Sequence, residues 1–162
     1  MRHLRRTAKL GRQFEHRNAM LANLVCSLIK HKRVITTVAK AKAARSVAEK
    51  MVSLGKAGSL HDRRLAAARL RQQPRSHFKG TPTKKGKELR DAWRRDEDVV
   101  RILFEDIAPT FKARPGGYTR IIRLNQRQGD AAQRAILEWF DYTAPAEAPV
   151  KPEGETKAAA AS

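Results

Sequence analysis

Thirteen cationic side chains fall within the first fifty residues of this chain, and only Glu15 and Glu49 oppose them. They are Arg2, Arg5, Arg6, Lys9, Arg12, Arg17, Lys30, Lys32, Arg33, Lys40, Lys42, Arg45 and Lys50. No other feature constrains the fold as strongly, because like charges at this density repel one another in any compact arrangement. A charge run is ordinarily a solvated face with both signs interspersed, as between Lys87 and Asp98. The front of the chain lacks that interspersion. Overall 35 Lys and Arg meet 16 Asp and Glu, a formal net charge of +19, so a polyanion is the natural partner. Nucleic acid leads, because neutralising phosphates releases condensed counterions. An anionic membrane competes, but the sequence holds no apolar run of about 18 residues that could span a bilayer.

The 162 residues suffice for one domain of ordinary size, placed here at 1–143. Residues 1–13 form a basic arm with almost nothing to bury. No apolar stretch of a signal peptide occurs there, and the single Cys26 excludes an internal disulfide framework. Both features suit a cytoplasmic protein.

Helical spacing of Leu21, Leu24, Val25, Leu28 and Ile29 predicts a helix over 15–32, with Cys26 at the edge of its apolar stripe. Arg33 to Thr37 is short and β-branched, as a strand is. A second helix over 38–56 turns Ala44, Val47, Ala48, Met51 and Val52 inward and stops at Gly55 and Gly58. Ser59 and Asp62 stand at capping-box spacing before a third helix carrying Leu65, Ala68 and Leu70.

Residues 72–87, rich in Pro, Gly and cations, are expected to be an exposed loop, followed by a helical turn over 88–95. Asp96, Glu97 and Asp98 favour a helix amino terminus. Val99, Val100, Leu103, Phe104 and Ile107 supply a fourth apolar stripe that Pro109 bounds. Strands are expected over 118–124 and 134–142. Ala, Pro and Glu dominate 144–162, which reads as a disordered tail. The fold class is therefore α+β: about four helices on a small, mixed, three-stranded sheet.

Catalytic readings fail on spacing. Gly80 to Glu88 superficially resembles a phosphate-binding loop, but it has one residue too many between its glycines and Glu88 where Ser or Thr should stand. His3, His16, His31, His61 and His77 are scattered without ligand spacing, so no metal or cofactor is expected. Cys26 reads as a small residue beside a helix core, not a nucleophile. Phe104, Trp139 and Phe140 lie within apolar patterns and are expected to pack. For Tyr118, packing outweighs stacking on a base.

The order of motifs resembles a known family. Met1-Arg2-His3, then His16-Arg17-x-Ala19-Met20-x-x-Asn23-Leu24, is similar to the bacterial ribosomal protein seventeen of the large subunit. Ile35-Thr36-Thr37-x-x-Lys40-Ala41-Lys42, followed by Glu49, matches its most diagnostic segment. Arg63-Arg64-Leu65-Ala66, Leu103-Phe104 and Arg114-Pro115-Gly116-Gly117-Tyr118-Thr119-Arg120-Ile121 follow in the family's order. The resemblance covers residues 1–142 and implies a non-enzymatic α+β protein of the ribosome. Its implied partners are 23S ribosomal RNA near the nascent-chain tunnel exit and neighbouring large-subunit proteins, with no small-molecule substrate. It departs from the family at 72–97, where a very short link is usual and this chain carries an insertion.

Charge and resemblance together nominate as RNA contacts Arg2, His3, Arg5, Arg6, Lys9, Arg12, His16, Arg17, Lys32, Arg33, Thr36, Thr37, Lys40, Lys42, Arg45, Arg64, Arg114, Gly116, Gly117, Tyr118 and Arg120. The alternative is a free-standing nucleic-acid-binding regulator. Such a protein should show a base-reading helix or a dimer surface, and neither is evident.

Overall fold

The computed structural model describes residues 8–71 and 86–140. The expectations for residues 1–7, for the loop at 72–85 and for the tail at 144–162 fall outside them.

Helix α1 spans Phe14–His31 and ends on Lys32 in the left-handed conformation. Strand β1 (Arg33–Thr37) leads directly into α2 (Val38–Ala57). Gly58, with φ of 73°, caps α2, a position where glycine avoids the Cβ clash of other residues. Helix α3 (Leu60–Leu70) opens with the capping box foreseen at Ser59 and Asp62. Helix α4 (Gly86–Asp96) occupies much of the supposed insertion, so a full helix stands where only a turn was expected. Then α5 (Val99–Arg101), a π-helical segment (Ile102–Ile107) and α6 (Ala108–Thr110) follow without a break.

Pro109 therefore does not bound this run; it occupies the first turn of α6, where a missing N–H costs little. The wider π turn also buries Ile102, Leu103 and Phe104 in succession, which a narrow stripe on a regular α-helix would not do. At its start Asp98 acts as N-cap, its side chain accepting from the Arg101 amide at 3.2 Å.

Strands β2 (Thr119–Gln126) and β3 (Gln133–Trp139) complete a sheet of order β1-β3-β2. Both pairings are antiparallel, correcting the mixed sheet expected. The short link between β2 and β3 permits only an antiparallel hairpin. Within it Gly129 has φ of 98°, and the Arg127 guanidinium beside Asp130 holds that carboxyl down at about 2.

Alternation along β3 turns Ala135, Leu137 and Trp139 inward. They meet Val25, Leu28 and Ile29 of α1, Met51 and Val52 of α2, and Leu103 and Ile107 of the π segment in one core. Trp139 ties the layers together, because its indole Nε1 donates to the Leu28 carbonyl of α1 at 3.2 Å. Three side chains depart from the expected pattern: Leu65, Ala68 and Phe140. On α3 the buried positions are Ala66 and Leu70, while Leu65 is exposed. Phe140 also lies outside the core, because it follows inward-facing Trp139 and alternation turns it outward. Cys26 is half-buried, as placed, with its thiol 3.4 Å from the Leu70 carbonyl. Burial pushes that thiol's pKa up, partly offset by Lys30.

Gly55 does not stop α2 but is buried within it, against the helical run after α4. A Cβ there would lie 2.8 Å from the Cβ of Ala108. In an open helix Gly→Ala gains up to about 1 kcal/mol. Here overpacking reverses the sign, and Gly55→Ala should destabilise the fold by about 1–3 kcal/mol. Thermal unfolding checks this, and adding Ala108→Gly should recover part of the loss. A stabilised single variant would show that α2 and α6 are not so closely apposed.

Candidate nucleic-acid interface

The nominated residues sort into three regions, set by where each element begins. The first is the start of α1. Arg12, just ahead of α1, meets His16 in its first turn, the Arg12 Nε donating to His16 Nε2 at 3.4 Å and another guanidinium nitrogen to the Leu10 carbonyl at 3.3 Å. The Arg17 guanidinium lies 5.6 Å from the ring centroid of Phe14, which is 62% exposed. Arg17 Nε is buried without an acceptor among the described residues, an unsatisfied donor in a basic neighbourhood. Lys9 is exposed beside this group. Arg2, His3, Arg5 and Arg6 lie outside the described residues.

The second region is the start of α2. Thr37 is its N-cap in extended conformation, with no side-chain cap hydrogen bond and no acidic residue in the first turn. The first amides of a 20-residue helix and its positive dipole end are thus left for an outside acceptor. Thr36 is half-buried on the inward side of β1, opposite Ala135. Lys42 is exposed and Lys40 half-buried. Arg45 is held by Glu49 at 3.1 Å, and Glu49 also accepts from the Thr119 hydroxyl at 3.2 Å. That link fixes the helix against β2. Lys32, at the C-cap of α1, is half-buried; desolvation lowers its ammonium pKa, with Asp106 opposing.

The third region joins the sheet to the Gly116-Gly117 turn. Arg33 and Arg120 are exposed, and both flank Glu138 in register. Arg114 Nε donates to the Gly116 carbonyl at 3.2 Å, and its guanidinium lies 3.9 Å from the Phe140 ring centroid. Gly117 has φ of 65° and nothing within 4 Å of a notional Cβ, so backbone conformation, not crowding, favours glycine there. Tyr118 does not belong to a surface. It is 4% exposed, its ring 5.3 Å from that of Phe111, and its hydroxyl lies 3.3 Å from Lys56 Nζ. With no free face it cannot stack on a base.

Sequence reasoning took Arg64 from α3, where it is exposed, but did not nominate Arg69 on the same helix or Arg71 at its C-cap. With Asn18, Leu21, Ala22, Val47 and Ala68 they line a cleft of about 330 Å³ between α1, α2 and α3. The only sequence signal was a modest basic excess over 63–71, diluted by alanines. Among the described residues no group of three His, Cys, Asp or Glu could hold a metal ion, and no helix is long and apolar enough to cross a membrane. What these regions offer chemically is forked guanidinium, ammonium and backbone N–H donors to phosphate.

The sequence model of the family described as Ribosomal protein L17 matches residues 20–140 of the chain. A large ribosomal subunit protein bL17 of Trichlorobacter lovleyi is 46% identical over 145 residues, spanning 90% of this chain and 98% of its own length. That of Pelobacter propionicus is 46% identical over 138 residues, spanning 85% and 90%. That of Caldanaerobacter subterraneus is 44% identical over 130 residues, spanning 80% and 95%.

Proposed function

Because the chain belongs to the ribosomal protein L17 family, a set of structural ribosomal components, not enzymes, we propose that it binds 23S ribosomal RNA near the nascent-chain tunnel exit. It is a structural constituent of the large ribosomal subunit. The observation that carries the RNA assignment is the pair of basic helix starts. The first turn of α2 has neither a side-chain cap nor an acid, and Arg17 of α1 has a buried Nε without an acceptor among the described residues. Each lacks the anionic partner that a folded protein otherwise supplies. Phosphate contacts from these starts and from the arm provide affinity, and RNA shape provides specificity. The tunnel-exit location rests on the motif resemblance, and a cytoplasmic setting follows from the ribosome's own.

The test is sedimentation of the full chain with large subunits through a moderate-salt wash, followed by chemical footprinting of 23S RNA. Protection of nucleotides around the tunnel exit is the expected result. Recovery only in the ribosome-free fraction would refute the assignment.

A further inference from the structure

Phosphate binding leaves one surface without a role, the face of the sheet turned away from the helices. Register aligns Ile35 of β1, Ile136 of β3 and Ile122 of β2 in a single row across all three strands. Ile35 is 61% exposed and Ile122 41%, while Ile136 between them is half-buried. The neighbouring row on this face is Arg33, Glu138 and Arg120, and Arg134 opposite Thr37 lies on the other side. Phe140, 38% exposed, follows Glu138 at the next outward position, with the guanidiniums of Arg114 and Arg120 at 3.9 and 5.8 Å from its ring centroid. The face is thus an aliphatic band with an aromatic at one end, edged by four arginines and one carboxylate.

Isoleucine offers RNA neither charge, nor donor, nor π face, which are the means by which RNA is held. A contiguous aliphatic band with a polar margin is instead the signature of a protein-binding surface. A second copy of this chain is a poor occupant, since its own arginine margin would be brought against this one. Charge complementarity calls for the opposite sign.

We propose that the outer sheet face docks another protein of the large subunit, one that presents aliphatic or aromatic side chains edged by carboxylates. The inference rests on the ribosomal reading above. It also reassigns Arg33 and Arg120, nominated as RNA contacts, to the margin of a protein interface. Arg120 is already paired with Glu138, leaving it less available to phosphate than the cations at the helix starts.

The experiment places a photo-reactive benzophenone analogue of phenylalanine at position 35 or 122 of the full chain in cells, with position 42 as comparison. Large subunits are purified and irradiated, and adducts are digested with ribonuclease and then with protease. From positions 35 and 122 the expected adduct survives ribonuclease and yields a peptide of a different protein containing apolar residues and Asp or Glu; position 42 yields RNA. An RNA adduct from the sheet positions, an adduct with a second copy, or no adduct from particles that contain the chain would each overturn the proposal.

A second measurement guards against loss of incorporation. The double variant Ile35→Ser, Ile122→Ser should keep its melting temperature and its affinity for naked 23S transcript, yet leave the particle at least tenfold more readily in a salt wash. Weakened binding to naked transcript would overturn the proposal as well. Absence of the unaltered chain from large subunits would strike the ribosomal reading itself, a different failure.

Discussion

Deleting residues 1–12 is expected to leave the core folded while lowering affinity for 23S RNA by about two to three orders of magnitude near physiological salt. The segment carries Arg2, Arg5, Arg6, Lys9 and Arg12. Each phosphate contact contributes roughly 0.7–0.9 to the slope of log affinity against log salt. Losing five such contacts should flatten that slope by roughly 3.5–4.5, a change that no loss of packing would produce. Stability should hardly move, because residues 8–12 contribute no buried side chain and α1 begins only at Phe14. Salt-titrated binding to a 23S transcript, with circular dichroism on the same samples, reads both quantities. An unchanged slope would mean that the arm does not touch phosphate. A collapsed spectrum would mean that it helps to hold the fold.

Trp139→Ala should be the most damaging single substitution to stability, costing about 3–5 kcal/mol from the core void alone. Trp139 is 2% exposed and packs tilted against Phe111, with ring centroids 6.1 Å apart and planes at 51°. Its indole N–H also meets the Leu28 carbonyl at 3.2 Å, so truncation leaves a buried acceptor without its partner, adding about 1 kcal/mol or more. Domains of this size have roughly 5–15 kcal/mol in total, so a substantial share of the chain should unfold at 37 °C. Trp139→Phe keeps most of the volume and loses the hydrogen bond, so it should cost distinctly less. Denaturant unfolding of the free protein measures both, and near-equal losses would show that the hydrogen bond, not the ring volume, holds α1 against β3. Bound RNA would mask part of either effect by mass action, which is why the free protein is the material to use.

Element identity was legible where a local rule applied. The apolar stripe of α1, the β-branched Arg33 to Thr37 segment and the Ser59–Asp62 capping box each declare themselves within a few residues. Errors arose where neighbours distant in sequence decide. Leu65 looked like an inward position because it is large, yet the helix turned small Ala66 inward against its neighbours. Gly55 looked like a helix stop, yet its lack of a Cβ serves the approach of Ala108, 53 positions away in the chain. Pro109 looked like a terminator because the π turn ahead of it leaves no trace in hydrophobic spacing. The helix-start part of the candidate interface was proposed from charge, while the cleft at Arg69 and Arg71 could not be, because it forms only where three helices converge.

Charge by itself pointed to a polyanion as the partner, since the excess of front cations over acids is a property of the linear sequence and any compact arrangement brings them together. Motif order determined the family on the same linear basis. Only the tertiary structure decided how that charge is divided. Alternation told which side chains of a strand share a face, but not which strands would meet or which face the helices would cover. Pairing Ile35 with Ile136, about a hundred residues away, and Ile136 with Ile122 assembled an aliphatic band that no segment contains alone. The same pairing set Arg33 and Arg120 beside Glu138, separating them from the helix-start cations with which the sequence had grouped them. Local rules act over one or two turns of chain, whereas register across a sheet is settled by burial of the opposite face.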